Sequence, residues 1–330
     1  MHTAGVLFFL GPHVQIPPFL TVDQRVDYLY ERGYFEPGSV TDEHAERLSR
    51  LNFHYFLGYA RNYRALVGRR QVQVPRKTPD DVFRVIDLDA EVSALVHEGL
   101  RTAEWRLRAA AVERYCAKFP PANSYLQTTQ YRVTDAESPA RLVEGILLHI
   151  YRHDEPYVDE CLREAATSKS LTKPRRYETS CHDTCLDLAA DLPLWAVVDS
   201  FSLGLLGQFV MNCDKDTESP VWKAVAKDLE ISAQVFETQV KSLAYLRNSV
   251  AHHARLWMRP TSDSAKKPRL FSNRLKNVHP KSMYWAFMNL ATFLPKEQRF
   301  DFAQRVDTLT GSDAIFRHGI TNVHETPKAS

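Results

Sequence analysis

Leu243-Ala244-Tyr245-Leu246-Arg247-Asn248-Ser249-Val250-Ala251-His252-His253-Ala254-Arg255-Leu256-Trp257 lies at the end of a segment, 232–258, whose pattern decides the fold class. Leu243, Leu246, Val250, Ala254 and Trp257 recur at spacings of three and four, which gathers them on one face of an α-helix. The segment is therefore predicted to be one long helix. A second stripe, Asn248, His252, Arg255 and Arg259, runs along another face with Arg247 beside it. It combines fixed cations with an imidazole that titrates near neutral pH. On a straight helix Arg247 and His252 stand roughly 140° apart, since successive residues turn by ~100°. A kink, the reach of the arginine or a second copy of the helix would have to bring them to one atom. Structural capping, or ion pairs with acids of another helix, would account for the same residues without any chemistry.

The helical period extends outward from this segment. Thr21 with Gln24 reads as a capping box and Gly33 as a helix stop, which frames a helix over 22–32. A second helix begins after Thr41 and runs through Leu48, Leu51, Phe56 and Tyr59; its aromatics Phe53, Tyr55, Phe56 and Tyr59 read as core in preference to base-stacking surface. Pro75 and Pro79 break the pattern. A long helix follows from Asp80 to about Lys118, ended by Pro120-Pro121. Helices are expected over 139–150, 155–167, 219–229, 281–294 and 296–309. Leu192–Val210, apolar nearly all round, is expected to be one central buried helix. The only strand-like alternation is Gln71-Val72-Gln73-Val74. The fold class is all-α, a helical bundle, with residues 1–79 as an N-terminal helical accessory region, 80–310 as the main helical domain and 311–330 as a flexible tail.

Composition agrees with helices. Of 330 residues 44% are hydrophobic and 25% charged, the proportions of a folded globular chain. Twelve glycines are about half the usual share, too few for a protein built on tight hairpins. The five cysteines are an odd number, which argues against a disulfide framework and fits a reducing cytoplasm. Val6-Leu7-Phe8-Phe9-Leu10 stops at Gly11-Pro12 without a preceding base, so neither export nor membrane insertion is expected. The net charge of +2 conceals an asymmetry: residues 238–296 hold eleven Lys and Arg and one acid, Asp263. That segment is +10 and the remainder −8, as a polyanion-binding surface or a solvated basic face would be.

Four ordered motifs give this pattern a family. The Arg247-Asn248-x-x-x-His252 stretch closely resembles the hallmark of the Abi-like abortive-infection proteins, AbiD/AbiF type, of the HEPN superfamily. Pro17-Pro18-Phe19-Leu20-Thr21 followed by Leu29-Tyr30-Glu31-Arg32-Gly33-Tyr34 resembles the family's opening. Leu51-Asn52-Phe53-His54-Tyr55-Phe56-Leu57-Gly58-Tyr59 is similar to its aromatic segment, and Leu192-Pro193-Leu194-Trp195-Ala196-Val197-Val198-Asp199-Ser200-Phe201-Ser202-Leu203-Gly204 to its Pro-Trp-acid-Phe-Gly helix. The likeness spans about residues 15–300. Asp199 stands where the family usually has Glu, and Met258 where Asn often follows the Trp.

The resemblance implies a HEPN-like, RNA-directed protein of phage defence, of toxin or toxin-antitoxin type, that cuts RNA without a metal through attack of the 2′-hydroxyl on the neighbouring phosphate. It makes Arg247, Asn248 and His252 the catalytic candidates, with His253, Arg255 and Glu104 as possible support. In these roles the imidazole moves a proton and the guanidinium stabilises charge growing on phosphorus. A single motif per chain implies a homodimer. Candidate RNA contacts are Arg259, Lys266, Lys267, Arg269, Arg274 and Lys276, with the basic loop Lys173, Arg175 and Arg176. No metal or cofactor is expected, and Cys181-His182-Asp183-Thr184-Cys185 lacks a second ligand pair for zinc. The alternative is a non-catalytic RNA-binding protein that holds a partner non-coding antitoxin RNA; a scaffold with neither role is the remaining possibility.

Overall fold

The computed structural model describes residues 19–68, 78–153, 155–262 and 264–323. Among them are fourteen α-helices, short 3-10 turns and no strand, only one isolated bridge between Ala122 and Pro193. The fold class is all-α. Pro17, Pro18, Asp263 and the whole alternation 71–74 lie outside the described residues.

Two compact units divide the chain, Met1–Leu88 and Asp89–Ser330. The first holds α1 (Val22–Glu31), α2 (Asp42–Arg50), α3 (Phe53–Gly68) and the start of α4 (Pro79–Cys116), inside which the division falls. Thr21 and Thr41 cap α1 and α2 in capping boxes closed by Gln24 and His44. His44 also donates through Nε2 to Asp80 at 2.8 Å. Leu51 is extended and Asn52 accepts from the amide of His54, so the single helix expected through Tyr59 is two helices. Phe56 and Tyr59 are fully buried, and Phe56 packs on Phe83 at 5.2 Å, so these two belong to the core, while Phe53 and Tyr55 are only half-buried.

The second unit continues α4 and adds α5 (Ser138–His153), α6 (Pro156–Ser168), α7 (His182–Ala189), α8 (Leu194–Val197), α9 (Leu203–Asn212), α10 (Val221–Asp228), α11 (Ala233–Ala251), α12 (Met283–Phe293), α13 (Arg299–Gly311) and α14 (Ala314–Thr321). Its centre is α12, every residue of which is buried; it packs between α11 and α13. The segment 192–210, expected as the central helix, is instead broken. Phe201 is extended, Ser202 caps a new helix by accepting from the Leu205 amide, and Trp195 lies on the surface. An apolar run alone did not reveal that cap. The end of α4 is tied down by Arg114 on Asp228 of α10 and by Lys118, which bridges Asp214 at 2.7 Å and Asp216 at 2.8 Å. In the stretch 311–330, Asp313 accepts from the amides of Ile315 and Phe316 and starts α14, whose Phe316 and Ile320 are buried.

The largest correction concerns α11. It stops at Ala251, seven residues short of the expected end, so Asn248, His252, Arg255 and Arg259 do not form one helical stripe. His252 is the C-cap, and His253 takes a left-handed conformation at φ 50°. The His253 amide bonds to the Val250 carbonyl at 3.0 Å and the Ala254 amide to Ser249 at 2.9 Å, the paired bonds of a Schellman termination. That position usually holds glycine. Because histidine occupies it, the stop has no composition signal.

Candidate functional site

Past this stop the backbone is gripped by the second unit's own residues. Asp89, a buried carboxylate on α4, accepts from the Leu256 amide at 2.9 Å and the Trp257 amide at 3.0 Å. The Met258 amide donates to Gly319 of α14 at 2.9 Å, and the Trp257 indole to the Ile315 carbonyl at 3.3 Å. Trp257 is fully buried. The C-terminus of α11 is thereby held against α4, and Asp89 sits within that helix's apolar stripe near Val92 and Val96. A carboxylate in such a stripe is the sequence signal for this contact, and it went unread.

Between α4 and α11 opens a groove of about 440 Å³. His97, Leu100, Arg101, Glu104, Trp105 and Arg108 line it from α4, and Arg247, Val250, Ala251 and His253 from the end of α11. Arg247 and Glu104, far apart in sequence, thus share one site: Nε of Arg247 is 3.9 Å from Oε2 of Glu104. Glu104 accepts from Arg108 at 2.7 Å. Arg108 in turn donates to the Phe201 carbonyl at 2.9 Å and lies 3.8 Å from Asp199. Asp199, the residue that stands for the family's Glu, therefore reaches the groove through Arg108. This chain of charges explains why Glu104 and Arg108 tolerate burial, since each has an opposite partner and a further polar contact.

Three guanidinium groups line the groove with one carboxylate, so its net charge is positive and suits an anion. Asn248 is exposed, with Oδ1 3.5 Å from Nη1 of Arg247. His252 is exposed and is not among the groove's lining residues; the neighbouring His253 is. Arg255 is half-buried. Trp105, Arg101 and His97 carry no motif and escaped the sequence reading as site residues, although Arg101, Glu104, Trp105 and Arg108 mark one face of α4 at spacings of three and four.

The other basic residues divide into two sets. Lys266, Lys267, Arg269 and Lys276 are exposed. Arg259 donates to the Tyr245 hydroxyl at 3.1 Å, and Arg274 is ion-paired with Asp307. In the loop, Lys173 is paired with Asp159 at 2.6 Å and Arg176 with Glu178 at 2.7 Å, while Arg175 is exposed. Cys181 and Cys185 bring their sulfurs to 3.5 Å, and burial pushes the Cys185 thiol up to about 12, so it is a poor nucleophile and ligand at neutral pH. Among the described residues no group of three or more His, Cys, Asp and Glu is placed to hold a metal ion. Nor is any described helix long and apolar enough to cross a membrane.

Fold and groove together define a helical protein with a cationic cleft at the end of one helix. A family profile described as Abi-like protein matches residues 46–258, and the chain belongs to that family. The match covers the aromatic segment of α3, the 192–204 motif and the whole of α11. Comparison with curated proteins and with solved structures finds no match to either.

Proposed function

We propose that the chain is an RNA-directed effector of abortive infection and that it acts as a HEPN-type endoribonuclease. The observation that carries this reading is the meeting of Arg247 with Glu104 and Arg108 in an open cationic groove beside the Arg-Asn-x-x-x-His motif. The reaction this residue set suits is transesterification of RNA. The ribose 2′-oxygen bonds to the adjacent phosphorus and gives its proton to a neutral imidazole. The bond from phosphorus to the 5′-oxygen breaks, and that oxygen takes a proton. The products carry a 2′,3′-cyclic phosphate and a 5′-hydroxyl. His252 is the assigned proton carrier and Arg247 the group that stabilises charge on the phosphorane. Asn248 orients the phosphate or the imidazole. Because His252 lies outside the groove that Arg247 lines, the reading includes a homodimer in which the motifs of two chains complete one site.

The same placement of His252 favours a second reading, an RNA-binding protein that holds a partner RNA without cutting it. Expression of wild type, Arg247→Ala and His252→Ala in a bacterial host, followed by sequencing of RNA ends that bear 2′,3′-cyclic phosphate, separates the two. New ends that vanish in both variants support the nuclease. RNA that co-purifies with all three proteins without new ends supports the binder.

A further inference from the structure

One residue of the groove has no role in that scheme. Trp105 is 56% exposed, although it sits on α4 among buried neighbours such as Ala103 and Leu107. An indole in water forfeits the favourable transfer free energy that burial would give it. It is also held: the Arg101 guanidinium, one helical turn earlier, lies 4.5 Å from the ring centroid. Both residues line the same groove as Arg247, Arg108 and His253. A flat aromatic surface clamped by a cation, at the edge of an anion-binding cleft, has the two complements of a nucleotide: a face for the base and charge for the phosphate.

We infer that Trp105 and Arg101 form a stacking platform for one unpaired nucleobase, with the phosphate of that nucleotide turned toward Arg247. The ligand class is single-stranded RNA, or the single-stranded loop of a folded RNA. In a duplex each base already lies between its neighbours and has no free face to offer. Glu104 lines the same groove 3.9 Å from Arg247, and its bond to Arg108 keeps the carboxylate from opposing the phosphate with an unpaired charge. This inference rests on the reading of the chain as RNA-directed but does not depend on cleavage.

The test measures binding of full-length protein carrying His252→Ala, so that turnover does not interfere. Fluorescence anisotropy reports its affinity for a 12-nucleotide oligouridine and for the same strand annealed to oligoadenosine. Adding Trp105→Ala is expected to weaken single-strand binding by about ten-fold or more, while Trp105→Phe keeps most of it. Duplex binding is expected to be weaker and indifferent to both. A second readout guards against misfolding. In a Trp195→Phe background, which removes the other exposed tryptophan, added single strand is expected to quench indole emission, and Trp105→Phe to abolish the quenching. Single-strand affinity unchanged in Trp105→Ala, or equal losses on duplex and single strand, overturns the platform. No binding of either RNA by the His252→Ala protein overturns the underlying RNA reading as well, which distinguishes the two failures.

Discussion

Asp89 accepts the backbone amide of Trp257 at 3.0 Å and that of Leu256 at 2.9 Å, so one buried carboxylate of α4 fixes the chain as it leaves α11. Removing it leaves two buried amides without their acceptor, and a buried unmet donor costs about 1–3 kcal/mol. Asp89→Ala is expected to lower unfolding stability by about 2–4 kcal/mol in urea titrations, on the same principle. Asp89→Asn, which keeps one acceptor oxygen, is expected to fall between. Equal stability of all three proteins would show that the carboxylate does not hold this segment.

His253 tests the other side of the same turn. Its φ of 50° is left-handed, a region that costs an L side chain roughly 1–2 kcal/mol and glycine nothing. Glycine gives some of that back as unfolded-chain entropy. His253→Gly is therefore expected to raise stability by up to about 1 kcal/mol, seen as a small rise in thermal midpoint. The variant removes an imidazole from the groove without damaging the fold. Any loss of RNA cleavage or binding it shows is then due to the side chain alone.

How much of this was legible follows from where the signals lie. Periodicity exposed the helices because each buries an apolar stripe, and the capping residues of α1 and α2 marked their starts. The end of α11 was not legible, since the residue in the glycine position is His253, and the break at Phe201–Ser202 hid inside an apolar run. Arg247, Asn248 and His252 were legible as a motif. A helical wheel already set Arg247 and His252 roughly 140° apart; that His252 is the C-cap just past α11 while Arg247 reaches Glu104 of α4 was not legible, because a wheel shows neither where a helix stops nor what packs beside it. Glu104 was legible as a polar residue near basic neighbours, but its contact with Arg247 depends on the crossing of two helices distant in sequence. Trp105 could have been noticed only by asking why an indole shares a helix face with three charges.

Gly319 is where α14 meets the site's foundation. A Cβ built there would stand 2.1 Å from Nε1 of the buried Trp257 and 2.5 Å from Cε2, far inside contact distance, and both partners are confined. Gly319→Ala is expected to destabilise the protein by about 1–3 kcal/mol, the usual cost of overpacking. It should also raise hydrogen exchange of the Met258 amide, whose acceptor is the Gly319 carbonyl. Unchanged exchange and midpoint would mean that α14 is not packed on this tryptophan.

Acid sensitivity should appear in two windows. Burial, which outweighs the bond to the Ser200 carbonyl, holds the His149 imidazole below its ordinary value. The native state thus prefers neutral His149, and its contribution is complete above about pH 6.5 and lost as pH falls from there through the lowered native value. Asp216 runs at lower pH: the Lys118 ammonium and the amides of Glu218 and Ser219 bring its carboxyl down to about 2. Its contribution is complete above about pH 4 and lost between there and about pH 2. Thermal midpoints against pH are expected to flatten in the upper window for His149→Asn and in the lower for Asp216→Asn. A variant that flattens the wrong window contradicts its assignment.

The basic segment 238–296 should behave as two populations. Lys267 and Arg269 are exposed, so reversing both to Glu is expected to weaken RNA binding and to reduce the slope of log affinity against log salt by about two or more, one for each phosphate no longer neutralised. Arg274 is different, because its ion pair with Asp307 belongs to a cluster in which that carboxylate also accepts from the Tyr284 hydroxyl at 2.5 Å and lies 3.3 Å from Arg317. Removing Arg274 leaves a half-buried carboxylate short of a partner, at an expected cost of about 1–2 kcal/mol in stability with little change in salt slope. Salt titrations of RNA binding for Lys267→Glu/Arg269→Glu and for Arg274→Ala, each beside its urea midpoint, measure both quantities in the same proteins. If Arg274→Ala alone flattens the salt dependence, the cation that meets phosphate lies on the Asp307 side of the molecule and the exposed pair is a solvated face.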